Sequence, residues 1–292
     1  MGVAGLGLAG TLSGCTLAAD ADHRGEDAPR AAPLARPVRM AWVLGSGGPR
    51  GFTHVGVLRA LHELGLAPDL VVGASVGAMV GGLRAAGRSV ADIEELALTL
   101  NPLAVARVAF GSAERFSGTP IAELMREQVR ELVPQARLER LPIALACVAT
   151  RQRDGAPVAF TAGDIGLAVQ ASVAIEGRFV PVRIRGETYV DADNVMPLPV
   201  RMARTLGASR VLAVDASAHA DRAPAGSERY RASDLKKQAL VDTDARLADL
   251  VLKPDFGYWV SFSQEFRERA IAAGYRDTMA QAERLRELHR TG

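Results

Sequence analysis

One stretch constrains this chain more than any other: residues 71–83, VVGASVGAMVGGL. Apolar β-branched residues run into Gly73-Ala74-Ser75-Val76-Gly77, and small, helix-compatible residues follow. That order is the strand, sharp turn and helix of a nucleophile elbow, G-x-S-x-G. A serine at such a turn sits in a strained backbone conformation that pushes its hydroxyl out of the sheet edge. Gly73 and Gly77 flank it because a Cβ there crowds the neighbouring strand and helix. The N–H groups that open the next helix then face the place where a negative oxygen forms. The same five residues also occur as a plain glycine-rich turn, so the surrounding sequence has to decide.

The surroundings favour chemistry. Residues 39–45, RMAWVLG, are a short apolar run ending in glycine, which reads as a buried strand. The loop Gly45-Ser46-Gly47-Gly48-Pro49-Arg50-Gly51 comes next. Val55, Leu58, Leu61 and Leu64 then recur at helical spacing, closed by Gly65, and residues 69–74 form a second strand. Strand, loop, helix and strand in so short a span make a βαβ unit, hence a parallel sheet with a right-handed crossover. The fold class is α/β.

The glycine loop admits three readings. A dinucleotide fingerprint ending at Gly51 would start on Ser46 instead of glycine, and no acidic residue closes a following strand to hold a ribose. A phosphate-cradling loop of the Gly-Lys-Ser/Thr type lacks its lysine. The third reading is an oxyanion hole, in which Gly47 and Gly48 leave their backbone N–H groups bare to approach a substrate oxygen. Pro49 has no N–H, which is harmless when the donors precede it. Arg50, with Gly51, supports the loop or binds a phosphate. A purely structural turn is the bland alternative.

Charge narrows the partners. The 292 residues hold 35 basic and 33 acidic side chains, a formal +2, with no basic-aromatic run, so no nucleic acid is expected. Two cysteines, Cys15 and Cys147, exclude a disulfide scaffold. Residues 1–15 are small and apolar, and Leu12-Ser13-Gly14-Cys15 resembles a bacterial lipobox, with cleavage before a cysteine that then carries lipid. The expectation is a signal segment over 1–15, lipidation at Cys15, and a cell-envelope lipoprotein facing the periplasm, attached to a membrane surface. No Lys or Arg precedes the apolar run. An unmodified cysteine on a cytoplasmic protein is therefore the alternative. Residues 16–37 carry almost no large apolar side chain and read as a disordered tether, leaving 38–292 as one domain.

GSGGPRGFTHVGVLRALHELGL followed by DLVVGASVGAMVGGLRAAG resembles the patatin-like phospholipase family. The likeness runs from about residue 39 to 215, with a weaker echo after 248. It implies a mostly parallel central sheet flanked by helices, an α/β/α sandwich with Ser75 as nucleophile and Gly47 and Gly48 as oxyanion hole. The family uses a Ser–Asp dyad, its aspartate lying in D-G-G or D-G-A. Here the matching position is Asp191, after the apolar Tyr189-Val190. A carboxylate within reach of Ser75 accepts its proton without a histidine. The bland alternative for Asp191 is a turn aspartate capping the next segment.

Departures accompany the match. Ala192 and Asp193 stand where the family has glycine; a positive φ would strain Ala192, and Asp193 would raise the pKa of Asp191 or itself serve as the base. Ile175-Glu176-Gly177-Arg178-Phe179 replaces a family Ile-Pro-Gly-aromatic.

Histidines argue against a triad: His23, His219 and His289 lie in polar or terminal stretches, His62 lies on the first helix, and His54 is placed to brace the glycine loop. Cys147 falls inside an apolar strand, PIALACVAT, as an inert core thiol.

The remaining segments are read as follows. Helices span 90–100, 119–132 (Thr119 as N-cap) and 164–174. Residues 101–116 form part of a mobile cap. A partner strand covers 158–161, and a Gly186-Glu187 turn joins two strands before Asp191. Strands follow at 210–215 and 249–253. Residues 216–243 are a solvated loop with a helical stretch at 235–240, and two terminal helices cover 263–273 and 275–288.

The expected activity is lipid acyl hydrolysis of a fatty-acyl ester through an acyl-enzyme, with no cofactor and no metal. The alternatives are a catalytically impaired lipid-binding or scaffold protein, and an acyltransferase or thioesterase on the same elbow. Oligomeric state is left open.

Overall fold

The computed structural model describes residues 21–101, 105, 107–109 and 112–290. Lipidation at Cys15 and the signal segment 1–15 fall outside those residues. Along the chain the strands are β1 (Met40–Leu44), β2 (Leu70–Ala74), β3 (Arg107–Val108), β4 (Phe116–Ser117), β5 (Ala144–Arg151), β6 (Ala156–Phe160), β7 (Val182–Ile184), β8 (Glu187–Asp191), β9 (Arg210–Val214) and β10 (Leu250–Leu252). The helices are α1 (Phe52–Glu63), α2 (Val76–Ala85), α3 (Val90–Thr99), α4 (Thr119–Arg130), α5 (Ile165–Ser172), α6 (Val200–Thr205), α7 (Glu228–Ala245), α8 (Gln264–Met279) and α9 (Ala282–Arg290).

The central sheet runs β10-β9-β1-β2-β5-β8-β7, with β6 also paired to β5. From β10 to β5 all neighbours are parallel, while β6, β8 and β7 join antiparallel. Both faces are covered, which is why β1 and β2 read as continuous apolar runs instead of alternating ones. Met40, Trp42 and Leu44 of β1 point into one core with Leu58 of α1, Ala78 of α2 and Met125 of α4. Ala41 and Val43 point into the other, with Val200 of α6 and Val241 of α7. The result is the expected α/β/α sandwich.

One detail of this topology decides where the chemistry sits. β5 pairs with β6 along 147–151, with β2 along 144–148 and with β8 along 149–151. Because β6 occupies one edge over the whole shared region, β2 and β8 must share the other. They arrive from opposite directions and end at consecutive positions: Ala74 opposite Val148, Asp191 opposite Ala149. The residue after β2 and the last residue of β8 are thus brought together by sheet register alone.

Several expectations are corrected. Residues 21–37, read as a disordered tether ahead of a domain starting at 38, lie against the sheet. The His23 amide donates to Arg183 O (2.9 Å) and Arg185 N donates to His23 O (3.0 Å), so the exposed edge of β7 is paired. Arg30 N donates to Ala162 O (2.9 Å), the Thr161 hydroxyl donates to Ala32 O (2.6 Å), and Ala28 is buried. Hydrogen bonds to β7 and to residues 161–162, made by backbone and side-chain groups, hold this segment; composition measures only apolar burial.

Helix α7 spans 18 residues where a loop with a short helical stretch was expected. It is polar on nearly every face, so it carries little of the periodicity that marks a packed helix. The N-cap of α4 is Gly118; the Thr119 hydroxyl instead meets Ser117 Oγ at 2.8 Å. The terminal helices break at 280–281, later than expected, because α8 continues through Gly274. The turn between β7 and β8 is Arg185-Gly186, both at positive φ. Of the expected cap over 101–116, β3 and β4 form an antiparallel pair, and Phe116 meets the Phe179 ring at 5.8 Å; residues 102–104, 106, 110 and 111 lie outside the described set.

Candidate active site

Ser75 stands between β2 and α2 at φ 54°, ψ −125°, a region that costs a non-glycine residue about 1–3 kcal/mol. The close packing of the turn explains why the strain persists. A Cβ on Gly73 would lie 2.5 Å from Ala78 Cα, and one on Gly77 would lie 2.1 Å from Leu44 O, so strand, turn and helix are locked against β1. Ser75 N donates to Ser172 Oγ (2.9 Å), whose own hydroxyl donates to Val148 O (2.6 Å). Ser172, the last residue of α5, therefore ties the elbow to β5 at the junction where β2 ends.

Across that junction the Ser75 hydroxyl donates to Asp191 Oδ2 at 2.6 Å, both residues being buried. Asp191 N donates to Ala174 O (2.9 Å), and Asp191 Oδ1 accepts from Asp193 N (2.9 Å). Burial pushes the Asp191 carboxyl up to about 7, and the neighbouring Asp193 charge adds to the rise. The Ser75 hydroxyl, the Asp193 amide and the Lys237 ammonium pull in the opposite direction. The carboxyl is poised near neutrality, where a general base works best.

The glycine loop adjoins this Ser75–Asp191 pair. Ser46 N donates to Pro197 O and Arg50 N to Gly47 O; among the described residues the Gly47 and Gly48 amides donate to no protein acceptor. Gly48 has φ 53°, a backbone that a side chain would strain. Arg50, the expected support, is buried and donates from Nε to Ala216 O (3.2 Å), from one terminal nitrogen to Tyr258 O (2.8 Å) and from the other to Gly257 O (3.0 Å). Its guanidinium also sits 4.6 Å from the Phe256 ring centroid. Three of its five N–H groups are thus spent on backbone carbonyls, which fits the supporting role expected of Arg50. A Cβ on Gly51 would strike Val76 at 2.3 Å, so this glycine lets loop and elbow touch. His54 Nε2 lies 2.8 Å from Gly45 O; burial lowers its pKa to about 4, so the ring is neutral and braces the loop.

The family model for patatin-like phospholipases matches residues 42–204, more than half of the chain, with Ser75, Asp191 and the glycine loop inside the match. The chain belongs to the patatin-like phospholipase family. An uncharacterised NTE family protein of Mycobacterium tuberculosis is 36% identical over 176 residues, which are 60% of this chain and 48% of that protein. A lysophospholipase of Mycosarcoma maydis is 28% identical over 221 residues, 69% of this chain and 11% of its own. The chain spans about half the length of the mycobacterial relatives and far less of the fungal one. Among solved structures, VipD from Legionella pneumophila shares the fold, with a TM-score of 0.60 at 16% identity, covering 86% of this chain and 68% of that one.

Against the family pattern, the Asp-Ala-Asp turn proves benign. Ala192 has no positive φ; it opens a short 3-10 turn (Ala192–Asn194) and is fully buried. The strain expected there is absent because Asp191 caps its own turn through the Asp193 amide. The alternative base, Asp193, is engaged elsewhere: its Oδ1 accepts from the Ser46 hydroxyl and pairs with Lys237. Glu176 and Arg178 are exposed.

Three contributors escaped the sequence reading. Ser46 figured only in the dinucleotide argument. Lys237 lies in what read as loop and carries no spacing signal. Ser172 does leave a trace, a serine closing the largely apolar IGLAVQAS. Cys147 is buried, and burial pushes its thiol up, as an inert core residue requires. Among the described residues no group of His, Cys, Asp and Glu is arranged to hold a metal ion.

Proposed function

We propose that this member of the family is a lipid acyl hydrolase working through Ser75 and Asp191. The 2.6 Å hydrogen bond between the strained serine and a buried carboxyl of pKa near 7 carries the reading. Ser75 Oγ attacks the ester carbonyl carbon, and its proton passes to Asp191 Oδ2. The carbonyl oxygen becomes the oxyanion, received by the Gly47 and Gly48 amides, where loss of one such donor costs about 10²–10³ in rate. Collapse expels the alcohol, which takes the proton from Asp191, and leaves an acyl-serine. Asp191 then accepts a proton from water as that water attacks the acyl carbon; the bond to Ser75 Oγ breaks, Oγ takes the proton back from Asp191, and the fatty acid leaves. Lys237 balances the charge of Asp193, so Asp191 faces less repulsion when it ionises. The substrate class is supported by the family and by the named lysophospholipase among the relatives. A lipid anchor at Cys15 would hold the site at a bilayer.

The test is labelling with a fluorophosphonate probe, followed by mass spectrometry of fatty acids released from mixed lipids. Wild type is expected to label and release fatty acid, and Ser75→Ala to do neither. Wild type that fails to label on folded protein overturns the hydrolase in favour of a lipid-binding relative. Release only when an acyl acceptor is supplied favours the acyltransferase.

A further inference from the structure

The segment after β10 leaves the sheet as an apolar, outward-facing run. Trp259 is 50% exposed, Val260 49% and Phe262 54%, in consecutive or alternate positions. These side chains do not stand alone. The Trp259 ring meets Tyr258 at 5.2 Å and Tyr230 of α7 at 6.2 Å, both edge-on, and the Arg229 guanidinium lies 4.5 Å from the Tyr230 centroid. Arg229, Arg231 and Lys236 are exposed on α7, as is Glu228, and the half-buried Asp234 carboxylate accepts from the Tyr258 hydroxyl. The face thus combines aromatic rings and an aliphatic side chain with flanking charges in which the cations outnumber the carboxylates.

Its position is tied to the active site at two points. Arg50 of the glycine loop holds the carbonyls of Gly257 and Tyr258. On α7, Tyr230, Asp234 and Lys237 follow one another at i, i+4 and i+7, which places them on one helical face. The first touches Trp259, the second Tyr258 and the third Asp193. The exposed aromatic run and the catalytic turn therefore share a single support.

We propose that the Tyr230–Trp259–Val260–Phe262 face docks this protein onto an anionic lipid surface. The inference rests on the hydrolase reading for its choice of partner. The chemistry of the face favours a bilayer over a protein: tryptophan and tyrosine settle at the headgroup level, Val260 and Phe262 enter the acyl boundary, and arginine pairs with lipid phosphate. Each cation near such a surface contributes about 1 kcal/mol, so negatively charged headgroups are preferred. None of the described helices is long and apolar enough to cross a membrane, so this is contact from one side.

The chain has two tryptophans, and the other, Trp42, is buried in the core. Trp259 is therefore a built-in reporter. The experiment uses the full chain carrying Ser75→Ala, so that vesicles are not consumed, with phosphatidylcholine vesicles with or without phosphatidylglycerol. Expected results are a blue shift of Trp259 emission, protection from acrylamide and co-sedimentation, all stronger with phosphatidylglycerol. The double change Val260→Asp with Phe262→Asp, on exposed positions, should weaken vesicle partition at least tenfold. In the wild-type background it should leave cleavage of a soluble short-chain ester within about twofold. Partition untouched by the double change overturns the proposal. So does a blue shift that appears on concentrating the protein alone together with a dimer mass in light scattering, because a second copy then covers the face. Fluorophosphonate labelling of wild type is read on the same preparation. Labelling without vesicle binding removes the docking face and keeps the hydrolase; vesicle binding without labelling does the reverse.

Discussion

Two turns meet at this site, and they are built on opposite principles. The Ser75 turn is strained and local: strand, nucleophile and helix are contiguous, glycines let them crowd, and the serine is held at φ 54° by packing against β1. The Asp191 turn is relaxed and assembled: its backbone is ordinary, and side chains from the glycine loop and α7 hold it. Ser75 is positioned by what is missing at Gly73 and Gly77. The acid is positioned by what has been added at Ser46, Asp193 and Lys237. A strained serine tolerates few neighbours, whereas a relaxed aspartate can change its flanking residues as long as hydrogen bonds replace the glycines.

The sharpest way to break the comparison is to remove each turn's reactive atom. Ser75→Ala is expected to abolish ester cleavage, with a loss of about 10⁴ or more, and to keep the fold. Asp191→Asn should cost nearly as much activity but differ in stability. The folded Asp191 has a pKa of about 7 against an ordinary value of 3.8. A raised carboxyl means the folded state binds the proton more tightly, so stability falls as pH climbs from about 4 to 7. The neutral asparagine escapes that loss. Thermal melting should therefore find Asp191→Asn more stable than wild type at pH 8, by an order of a few kcal/mol, with the gain shrinking toward pH 4. A variant less stable than wild type at pH 8 would show that the carboxylate is well compensated in its turn. The wild-type kcat/KM should rise with pH through about 7, as the carboxyl deprotonates to become the base.

The next effect is smaller and concerns only the acid. Lys237 pairs with Asp193, which repels the ionised Asp191. Lys237→Met should move the rising limb of the pH profile upward and lower activity several-fold at pH 7, with full recovery at high pH. Lys237→Arg should restore the limb. A lysine that only secures α7 would change the melting temperature and leave the limb in place.

The same contrast explains what the sequence disclosed. Everything about Ser75 lies within one uninterrupted run, so spacing and residue type were enough to find the strand, elbow, helix and flanking glycine loop. Asp191 was reached through resemblance, because its proximity to Ser75 depends on β2 and β8 sharing one edge of β5, a non-local fact with no local pattern. Lys237 carries no signal for a related reason: α7 is a solvated helix that buries only Val241 and Asp244, and such a helix has no apolar stripe to announce it. Residues 21–37 read as a tether because they are held by scattered hydrogen bonds to β7 and to residues 161–162, which leave no pattern in composition.

The finest test lies at Ala192, the position where the family pattern asks for glycine. If the turn needed a left-handed backbone, Ala192→Gly would relieve strain and stabilise the fold. The structure gives Ala192 no positive φ and buries its methyl completely. Glycine there frees the unfolded chain and empties a small space, each costing roughly 0.5–1 kcal/mol. Chemical denaturation should therefore show Ala192→Gly destabilised by about 1–2 kcal/mol, with labelling of Ser75 retained. A stabilised variant would mean that the acid turn, like the serine turn, is held under strain, and the two halves of the site would then be alike in the one respect that separates them.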